Sequence, residues 1–116
     1  MCSITTSTGR KHQIRAHAQW LGFPLVGEKL YGKDEQIYLN FCTSGWREEW
    51  MELLGMQRQA LHGRCLLDID SATEFLSPLP EDFSSFLTAS MKLNAEQVEK
   101  LVIKADEEFR ASLLAN

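Results

Sequence analysis

Apolar side chains recur every three or four residues along the last quarter of the chain, the spacing of one face of an α-helix. This apolar stripe comprises Val98, Leu101, Val102, Ala105, Phe109 and Leu113. Asn94 precedes the stripe and Gln97 follows three residues later, an arrangement that caps a helix N-terminus. The pattern predicts an amphipathic helix over residues 94–115. Its apolar stripe must be buried against the rest of the domain or against a partner.

The N-terminal pattern predicts a strand, a helix and a tight loop. Residues 2–7 alternate and are rich in β-formers, which is typical of a strand that ends at the following glycine. From Arg10 to Leu21 the apolar residues follow helical spacing, and Gly22 is placed to end that helix before Pro24. Residues 23–32 contain a proline and two glycines and predict a loop.

The middle of the chain predicts two further helices, a short one after residue 34 and an amphipathic one over residues 46–54 that ends at Gly55. Trp46 and Trp50 are four residues apart, so they share one face of the second helix. They are candidates for stacking on nucleic-acid bases, but such a pair more often belongs to a core.

The remaining segments predict a hairpin and one more helix. Residues 58–69 are apolar enough for a buried strand, a turn follows at Asp70-Ser71, and residues 73–76 read as the second strand of an antiparallel hairpin. Two prolines close the hairpin, and residues 81–87 begin a short helix with an acidic first turn. The fold class predicted from these elements is α+β.

Composition restricts the class of protein. The chain has 116 residues, of which 44% are hydrophobic, enough for one domain with its own core. That content is too high for a disordered acidic tail. No apolar run approaches the roughly 20 residues that a membrane span needs, and residues 1–9 lack the basic and apolar regions of a signal peptide. We expect a soluble, cytoplasmic protein with no membrane partner.

The formal net charge of −4 is unevenly distributed along the chain. Residues 1–32 contain four basic residues and one acid and sum to +3, residues 33–66 sum to −1, and residues 67–116 sum to −6. The basic end is therefore the candidate region for binding an anion. The three cysteines, Cys2, Cys42 and Cys65, are widely spaced and suggest neither a disulfide framework nor a zinc site. We expect them to be buried or partly buried thiols.

Hydrogen-bond donors are concentrated in the first turns of the predicted N-terminal helix. They are Arg10, Lys11, His12, Gln13 and Arg15. Free amides at a helix N-terminus add to such charges and favour phosphate or carboxylate. The sequence does not match a P-loop.

A metal site is not indicated by the histidines. His12 and His17 are five residues apart, which places them about 140° apart around a helix, so they cannot both bind one ion from that helix. His62 lies in a predicted apolar strand, where a histidine is more often a core residue with its hydrogen bonds satisfied. No metal is expected.

Four blocks of the sequence occur in the order of a known family and near its spacing. They are Thr8-Gly9-Arg10-Lys11-His12-Gln13-Ile14-Arg15, Gly22-Phe23-Pro24-Leu25-Val26-Gly27-Glu28-Lys29-Leu30-Tyr31-Gly32, Arg58-Gln59-Ala60-Leu61-His62 and Pro78-Leu79-Pro80-Glu81-Asp82-Phe83. Together they resemble the C-terminal half of the catalytic domain of RluA-type pseudouridine synthases. The resemblance covers about residues 4–87, and the final helix lies outside it.

The resemblance implies an isomerase that converts uridine to pseudouridine in structured rRNA or tRNA, without a cofactor or a metal. It implies part of a mixed, mainly antiparallel sheet flanked by helices, with residues 1–87 belonging to the catalytic domain and residues 88–116 forming a helical extension. The family's nucleophile is an aspartate in an upstream His-Arg-Leu-Asp motif that this sequence lacks. None of its five aspartates has that context, so we expect the isolated chain to be inactive.

The resemblance also assigns candidate site residues. Arg15 aligns with the arginine that forms an ion pair with the catalytic aspartate, and Ile14 with the residue that packs against the target base. Arg10, Lys11 and His12 are candidates for RNA phosphate contacts or for holding the loop. Arg10, Lys11 and Arg15 could instead belong to a solvated helix face. Turn formation and aromatic packing are the simplest roles for Gly27, Tyr31 and Gly32.

The missing half of the domain has two interpretations: the chain is a fragment of a longer protein, or it is a truncated gene product. The strand predicted from residue 2 favours the fragment. We expect an isolated piece to expose sheet edges and apolar surface, which self-association would cover. The alternative function is a non-catalytic RNA-binding or protein-interaction module. Its partners would use the basic end or the final helix; DNA is not expected as a partner.

Overall fold

The computed structural model describes residues 1–6 and 8–114. Within these residues the chain forms five helices and one antiparallel pair of strands. The predicted α+β class is confirmed. The chain divides into two compact units, one formed by Thr8–Leu61 and the other by residues 1–6 together with residues 62–114. None of the described helices has the length and apolar character needed to cross a membrane.

The first helix, α1, comprises Gln13–Trp20. It begins three residues later than predicted from Arg10, because His12 has a left-handed backbone with φ 55°, which a right-handed α-helix excludes. At the other end Gly22 has φ 87°. The amides of Gly22 and the next residue donate to carbonyls three and five residues earlier, the Schellman arrangement. The predicted glycine stop is therefore confirmed.

Two more helices complete the Thr8–Leu61 unit, α2 (Glu35–Ser44) and α3 (Trp50–Leu54). Their order and the stop at Gly55, where φ is 83°, are as predicted. Residues 46–49 form no helix, so α3 begins later than expected. The Trp46 ring lies edge-on to Trp50 with centroids 5.7 Å apart, and Trp50 is buried. The predicted core role is confirmed for Trp50, whereas Trp46 is half-buried and lies outside α3, so the two do not share a helix face.

The core of the Thr8–Leu61 unit lies between the helices and the loop that follows α1. Its buried apolar side chains are Ile37, Trp50 and Met56. Backbone hydrogen bonds tie the loop to the end of α3 and to the segment after it. The Gly27 amide donates to the Leu54 carbonyl at 2.9 Å, and the Ala60 amide donates to the Val26 carbonyl at 2.7 Å. These bonds fix the loop at Val26 and Gly27, directly before Glu28.

Two strand predictions are wrong in whole or in part. Residues 1–6 form no strand, and Ser7 lies outside the described residues. Of the predicted strand over residues 58–69, only Cys65–Asp68 is a strand. A strand requires a neighbour for its backbone donors and acceptors, and among the described residues only the hairpin provides one. Residues 59–61 make loop hydrogen bonds instead.

The second unit is built on an antiparallel hairpin of β1 (Cys65–Asp68) and β2 (Thr73–Leu76). Both the hairpin and the bounds of its second strand are as predicted. The Asp68 carboxylate accepts a hydrogen bond from the Ser71 hydroxyl at 2.6 Å, which closes the turn. This turn sits where the sequence predicted it.

Two helices follow the hairpin, α4 (Glu81–Ala89) and α5 (Ala95–Leu114). The Asn94 side chain accepts from the Gln97 amide at 2.8 Å, and the Asn94 amide donates to the Gln97 side chain at 2.9 Å. This reciprocal pair is the capping box that the sequence predicted.

The apolar stripe of α5 packs against α4. Val98 on the stripe and Leu87 on α4 are both buried. The stripe becomes more exposed toward its end, where Leu113 is exposed. The predicted burial is therefore confirmed for the first turns of the helix.

Ion pairs also connect α5 to the hairpin. Arg64 donates from Nε and Nη2 to the two carboxylate oxygens of Asp106 at 3.0 and 2.8 Å, and Arg110 donates to Glu74 at 3.0 Å. The boundary at residue 87 between a catalytic portion and a helical extension stays a prediction.

The cysteines differ from expectation. Cys65 is half-buried, but Cys2 and Cys42 are exposed. The expectation of buried or partly buried thiols is wrong for these two. Residue 2 has no strand around it to cover its side chain, and Cys42 lies on an outward face of α2.

Candidate active site

Arg15 and Glu28 form a two-pronged ion pair within the Thr8–Leu61 unit. Arg15 Nε donates to Glu28 Oε1 and Arg15 Nη2 donates to Glu28 Oε2, each at 2.6 Å. The Glu28 side chain has 0% exposed area and the Arg15 side chain 16%. Two parallel bonds fix the plane of the guanidinium as well as its position. Arg15 is therefore not a freely solvated helix residue.

Glu28 is held as a charged group despite its burial. Burial by itself raises the pKa of Glu28, but hydrogen bonds from Arg15, Tyr31 and Leu30 outweigh it and place the pKa below the ordinary value. The backbone amides of Leu30 and Tyr31 donate to Glu28 Oε2 at 3.2 and 3.3 Å. The carboxylate is thus ionised at neutral pH, and the pair is a charged one.

Glycines on both sides of Glu28 allow the loop to present this carboxylate. Gly27 has φ 78°, and a Cβ there would lie 2.0 Å from the backbone carbonyl oxygen of Arg58. A Cβ at Gly32 would lie 2.6 Å from the carbonyl oxygen of Glu28. Both separations are far below van der Waals contact. The turn-forming roles predicted for these glycines are confirmed.

Tyr31 connects the ion pair to the start of α1. The Arg15 guanidinium lies over the Tyr31 ring, 5.3 Å from its centroid. His12 Nδ1 lies 3.1 Å from the Tyr31 hydroxyl, and the two rings meet edge to face. The left-handed backbone of His12 directs its ring to this contact. The packed aromatic role predicted for Tyr31 is confirmed.

Lys29 is the second internal cation of the basic segment. Its ammonium donates to the Gln57 carbonyl and lies 4.9 and 5.4 Å from the ring centroids of Phe41 and Trp46. Burial lowers the pKa of Lys29. Lys29 is therefore engaged in packing the loop against the helices, as Arg15 is engaged with Glu28.

The other candidate residues lie on the segment that leads into α1. Arg10 and Lys11 are exposed, and Ile14 is half-buried in the first turn of the helix. Gln13 Oε1 accepts from the Thr8 hydroxyl at 3.0 Å and from the Arg10 amide at 3.4 Å. The structure thus brings His12 and Arg15 together at one tyrosine. Its described contacts do not connect Arg10 or Lys11 to that group.

The sequence pattern alone did not identify Glu28 as a site residue. A signal was present, because Glu28 is the only acid among the first 32 residues and follows a turn glycine directly. A lone carboxylate in a basic segment has a choice of cationic partners. Its burial and its pairing with Arg15 depend on how the loop folds back on α1.

Potential metal ligands are dispersed over the part of the chain that the structure describes. Among the described residues there is no group of three or more of them that could hold a metal ion. Asp34 caps α2 by accepting from the Gln36 amide at 3.0 Å. Asp68 in the hairpin turn and Asp106 in its ion pair likewise have structural partners.

Comparison with known proteins identifies RNA pseudouridine synthases among the relatives of this chain. A protein of Chlorobaculum parvum named as an uncharacterized RNA pseudouridine synthase is 38% identical over 92 residues, which is 75% of this chain and 28% of the relative. The ribosomal large subunit pseudouridine synthase D of Haemophilus influenzae is 37% identical over 101 residues, 83% of this chain and 29% of the relative. The protein of that name from Pseudomonas aeruginosa is 38% identical over 87 residues, 69% of this chain and 25% of the relative.

These matches cover most of this chain but only a part of each relative. The chain spans between a quarter and a third of the length of these relatives. No protein-family model matches the chain, and no solved structure gives a significant match. The resemblance first seen in four sequence blocks is confirmed by these relatives. The chain belongs to the RluA-type pseudouridine synthase family and corresponds to part of the length of its members.

Proposed function

We propose that this chain supplies the arginine-bearing part of an RNA pseudouridine synthase catalytic domain, with Arg15 holding the catalytic aspartate of an upstream segment. The relatives are named as RNA pseudouridine synthases, which supports this reaction. Two of them are named for the large ribosomal subunit, which favours rRNA over tRNA as the substrate. A cytoplasmic location is proposed with it.

The ion pair that fixes the Arg15 guanidinium against Glu28 is the observation that supports the proposal. Glu28 occupies the Nε and Nη2 edge of the guanidinium. No described hydrogen bond uses Nη1, and we propose that this other edge of the fork receives the second carboxylate. A fixed guanidinium beside an aspartate lowers that aspartate's pKa by roughly 1 to 3 units and sets its orientation. Both effects suit a carboxylate nucleophile.

Three aspartates of this chain already have structural partners, which supports placing the catalytic aspartate in another segment. Asp34, Asp68 and Asp106 each hold a helix, a turn or an ion pair. None of them has a described contact with Arg15. The isolated chain is accordingly proposed to lack turnover of its own.

The remaining candidate residues fit roles around a flipped base. Extruding a uridine from structured RNA costs a few kcal/mol, and contacts to the flanking phosphates help offset this. Arg10 and Lys11 are exposed and so are accessible to phosphate. His12 is proposed to hold the loop through Tyr31, and Ile14 is proposed to pack against the target base.

The test uses the complete polypeptide whose reading frame includes this sequence, assayed by tritium release from uridine-labelled RNA. Arg15→Lys should lose most of the activity while the fold is kept, because one ammonium cannot reproduce two parallel bonds. Arg47→Lys, at an exposed arginine of the same unit, is the matched control and should react normally. Normal turnover by Arg15→Lys would refute the role.

The same assay distinguishes the proposed synthase from the alternative, a non-catalytic RNA-binding module. A polypeptide that binds RNA with a steep dependence on salt but releases no tritium would be a binding module. That outcome would overturn the proposed synthase activity.

A further inference from the structure

We infer that Glu28 is a positioning residue for catalysis: it fixes the guanidinium of Arg15 so that the free edge faces the catalytic carboxylate. The inference rests on the function proposed above. It concerns a residue that does not touch the reacting atoms and acts through Arg15.

The hydrogen bonds at Glu28 converge from two directions. Arg15 donates two bonds of 2.6 Å from α1, and the amides of Leu30 and Tyr31 donate from the loop itself. The amides hold Oε2 while the guanidinium binds both oxygens. The carboxylate is therefore fixed to the loop, and Arg15 is fixed to the carboxylate.

Further contacts limit the rotation of Arg15. The Tyr31 ring lies beneath its guanidinium at 5.3 Å, and His12 bonds to the Tyr31 hydroxyl. A guanidinium that is bound along one edge and packed on one face has few remaining orientations. Its other edge is consequently presented in one direction, which is the preorganisation that positioned catalysis needs.

The backbone of the loop is itself constrained. Gly27 is in the left-handed region and packs against the Arg58 carbonyl, and its amide donates to the Leu54 carbonyl at the end of α3. A glycine turn, a buried charge and two backbone amides thus all hold one orientation of Arg15.

Kinetics of the complete polypeptide test the positioning role. Glu28→Gln keeps the size of the side chain but removes its charge, and kcat should fall about tenfold to a hundredfold, as expected when a reacting group is displaced. KM for RNA should stay within about twofold, because the Glu28 side chain has 0% exposed area with which to contact RNA. Glu28→Asp, which keeps the charge but shortens the reach, should fall between. Glu107→Gln, at an exposed glutamate of α5, is the matched control and should leave both constants unchanged.

A double variant distinguishes positioning from general stability. If Glu28 acts through Arg15, then Arg15→Lys/Glu28→Gln should be no slower than Arg15→Lys alone. Multiplicative losses in the double variant, or a normal kcat for Glu28→Gln, would overturn the inference. Should Glu28→Gln fail to fold, Glu28→Asp is combined with Arg15→Lys in the same comparison, and the same two outcomes decide.

A spectroscopic measurement on the 116-residue chain does not depend on activity. The Nε–H resonance of Arg15 should exchange slowly with water in the wild type and rapidly in Glu28→Gln. Unchanged exchange in the variant would refute the anchoring of Arg15. An inactive wild-type polypeptide with the expected exchange difference would overturn the proposed function while leaving the anchoring established, so the two failures are distinguishable.

Discussion

Replacing Arg15 by methionine should reverse the way in which the stability of the Thr8–Leu61 unit depends on pH. In the wild type the pKa of Glu28 lies below its ordinary value, so this carboxylate stabilises the unit above the unfolded pKa of about 4.3. That contribution is lost as pH falls through the lower, folded pKa. Without the guanidinium, burial is the largest remaining influence, and we expect it to raise the pKa of Glu28. The variant should therefore lose stability as pH rises above about 4.3.

The magnitude follows from the burial of the pair. Removing one partner of a buried ion pair costs about 3–5 kcal/mol. The two backbone amides still bond to Glu28, so we expect the free energy of unfolding to fall by about 3 kcal/mol at neutral pH. With a urea slope of about 1.5 kcal/mol per M, this lowers the unfolding midpoint by about 2 M. At pH 4 protonation of Glu28 should remove most of the difference.

The chain provides a suitable probe for this measurement. All three tryptophans, Trp20, Trp46 and Trp50, belong to the Thr8–Leu61 unit. Their fluorescence during urea titrations between pH 4 and pH 7 reports that unit alone. Arg10→Met, at an exposed arginine of the same unit, is the control and should retain the wild-type dependence on pH.

The double variant Arg15→Met/Glu28→Gln completes the comparison. It no longer buries a charge, so it should recover part of the loss at neutral pH and show a flatter pH profile. Equal midpoints for Arg15→Met and the wild type from pH 4 to pH 7 would refute the reasoning, because a buried, ionised Glu28 cannot lose its partner without cost.

Three further predictions concern stability. Gly27→Ala should cost more than about 1 kcal/mol in urea titrations, since φ at this position is positive and the new Cβ would lie 2.0 Å from a backbone oxygen. Gly22→Ala is the comparison: φ is also positive but the space is open, so it should cost about 1 kcal/mol. Asp106→Asn should cost about 1 kcal/mol above pH 4 and less at lower pH, because the hydrogen bond from Arg64 lowers the pKa of Asp106. Equal melting temperatures of the variant and the wild type at all pH values, measured by far-UV circular dichroism, would show that this is wrong. Asn94→Ala should cost about 1 kcal/mol through the lost cap of α5, and an unchanged thermal midpoint would contradict it.

Local patterns predicted the elements that local chemistry determines. The capping box at Asn94 and the stop at Gly22 were both readable, because each depends on residues within one turn. The second strand of the hairpin was predicted with its bounds for the same reason. These features need no knowledge of the rest of the fold.

Features that depend on distant partners were predicted poorly. Residues 59–61 were predicted as part of a strand, but the Ala60 amide donates to Val26 in the loop after α1 and the Leu61 amide donates to Gln59. The delayed start of α1 coincides with the left-handed backbone of His12, whose ring contacts Tyr31, 19 residues away. Neither partner can be inferred from spacing alone.

The candidate site shows the same division. Arg15 was identified through its resemblance to a family motif, whereas the carboxylate that holds it was not. Glu28 is 13 residues further along the chain, on a loop whose path is set by glycine geometry. The arginine was a feature of the motif, and its partner was a feature of the fold.

The two units of this chain use ion pairs of different kinds, and dissolved salt should therefore affect them differently. The Arg15 and Glu28 side chains are nearly enclosed, so ions in solution screen their attraction little. The pairs that join α5 to the hairpin are more open to water, with 31% and 51% of the two arginine side chains exposed. Raising the ionic strength should weaken the attachment of α5 to the hairpin while the enclosed pair beside α1 keeps its geometry.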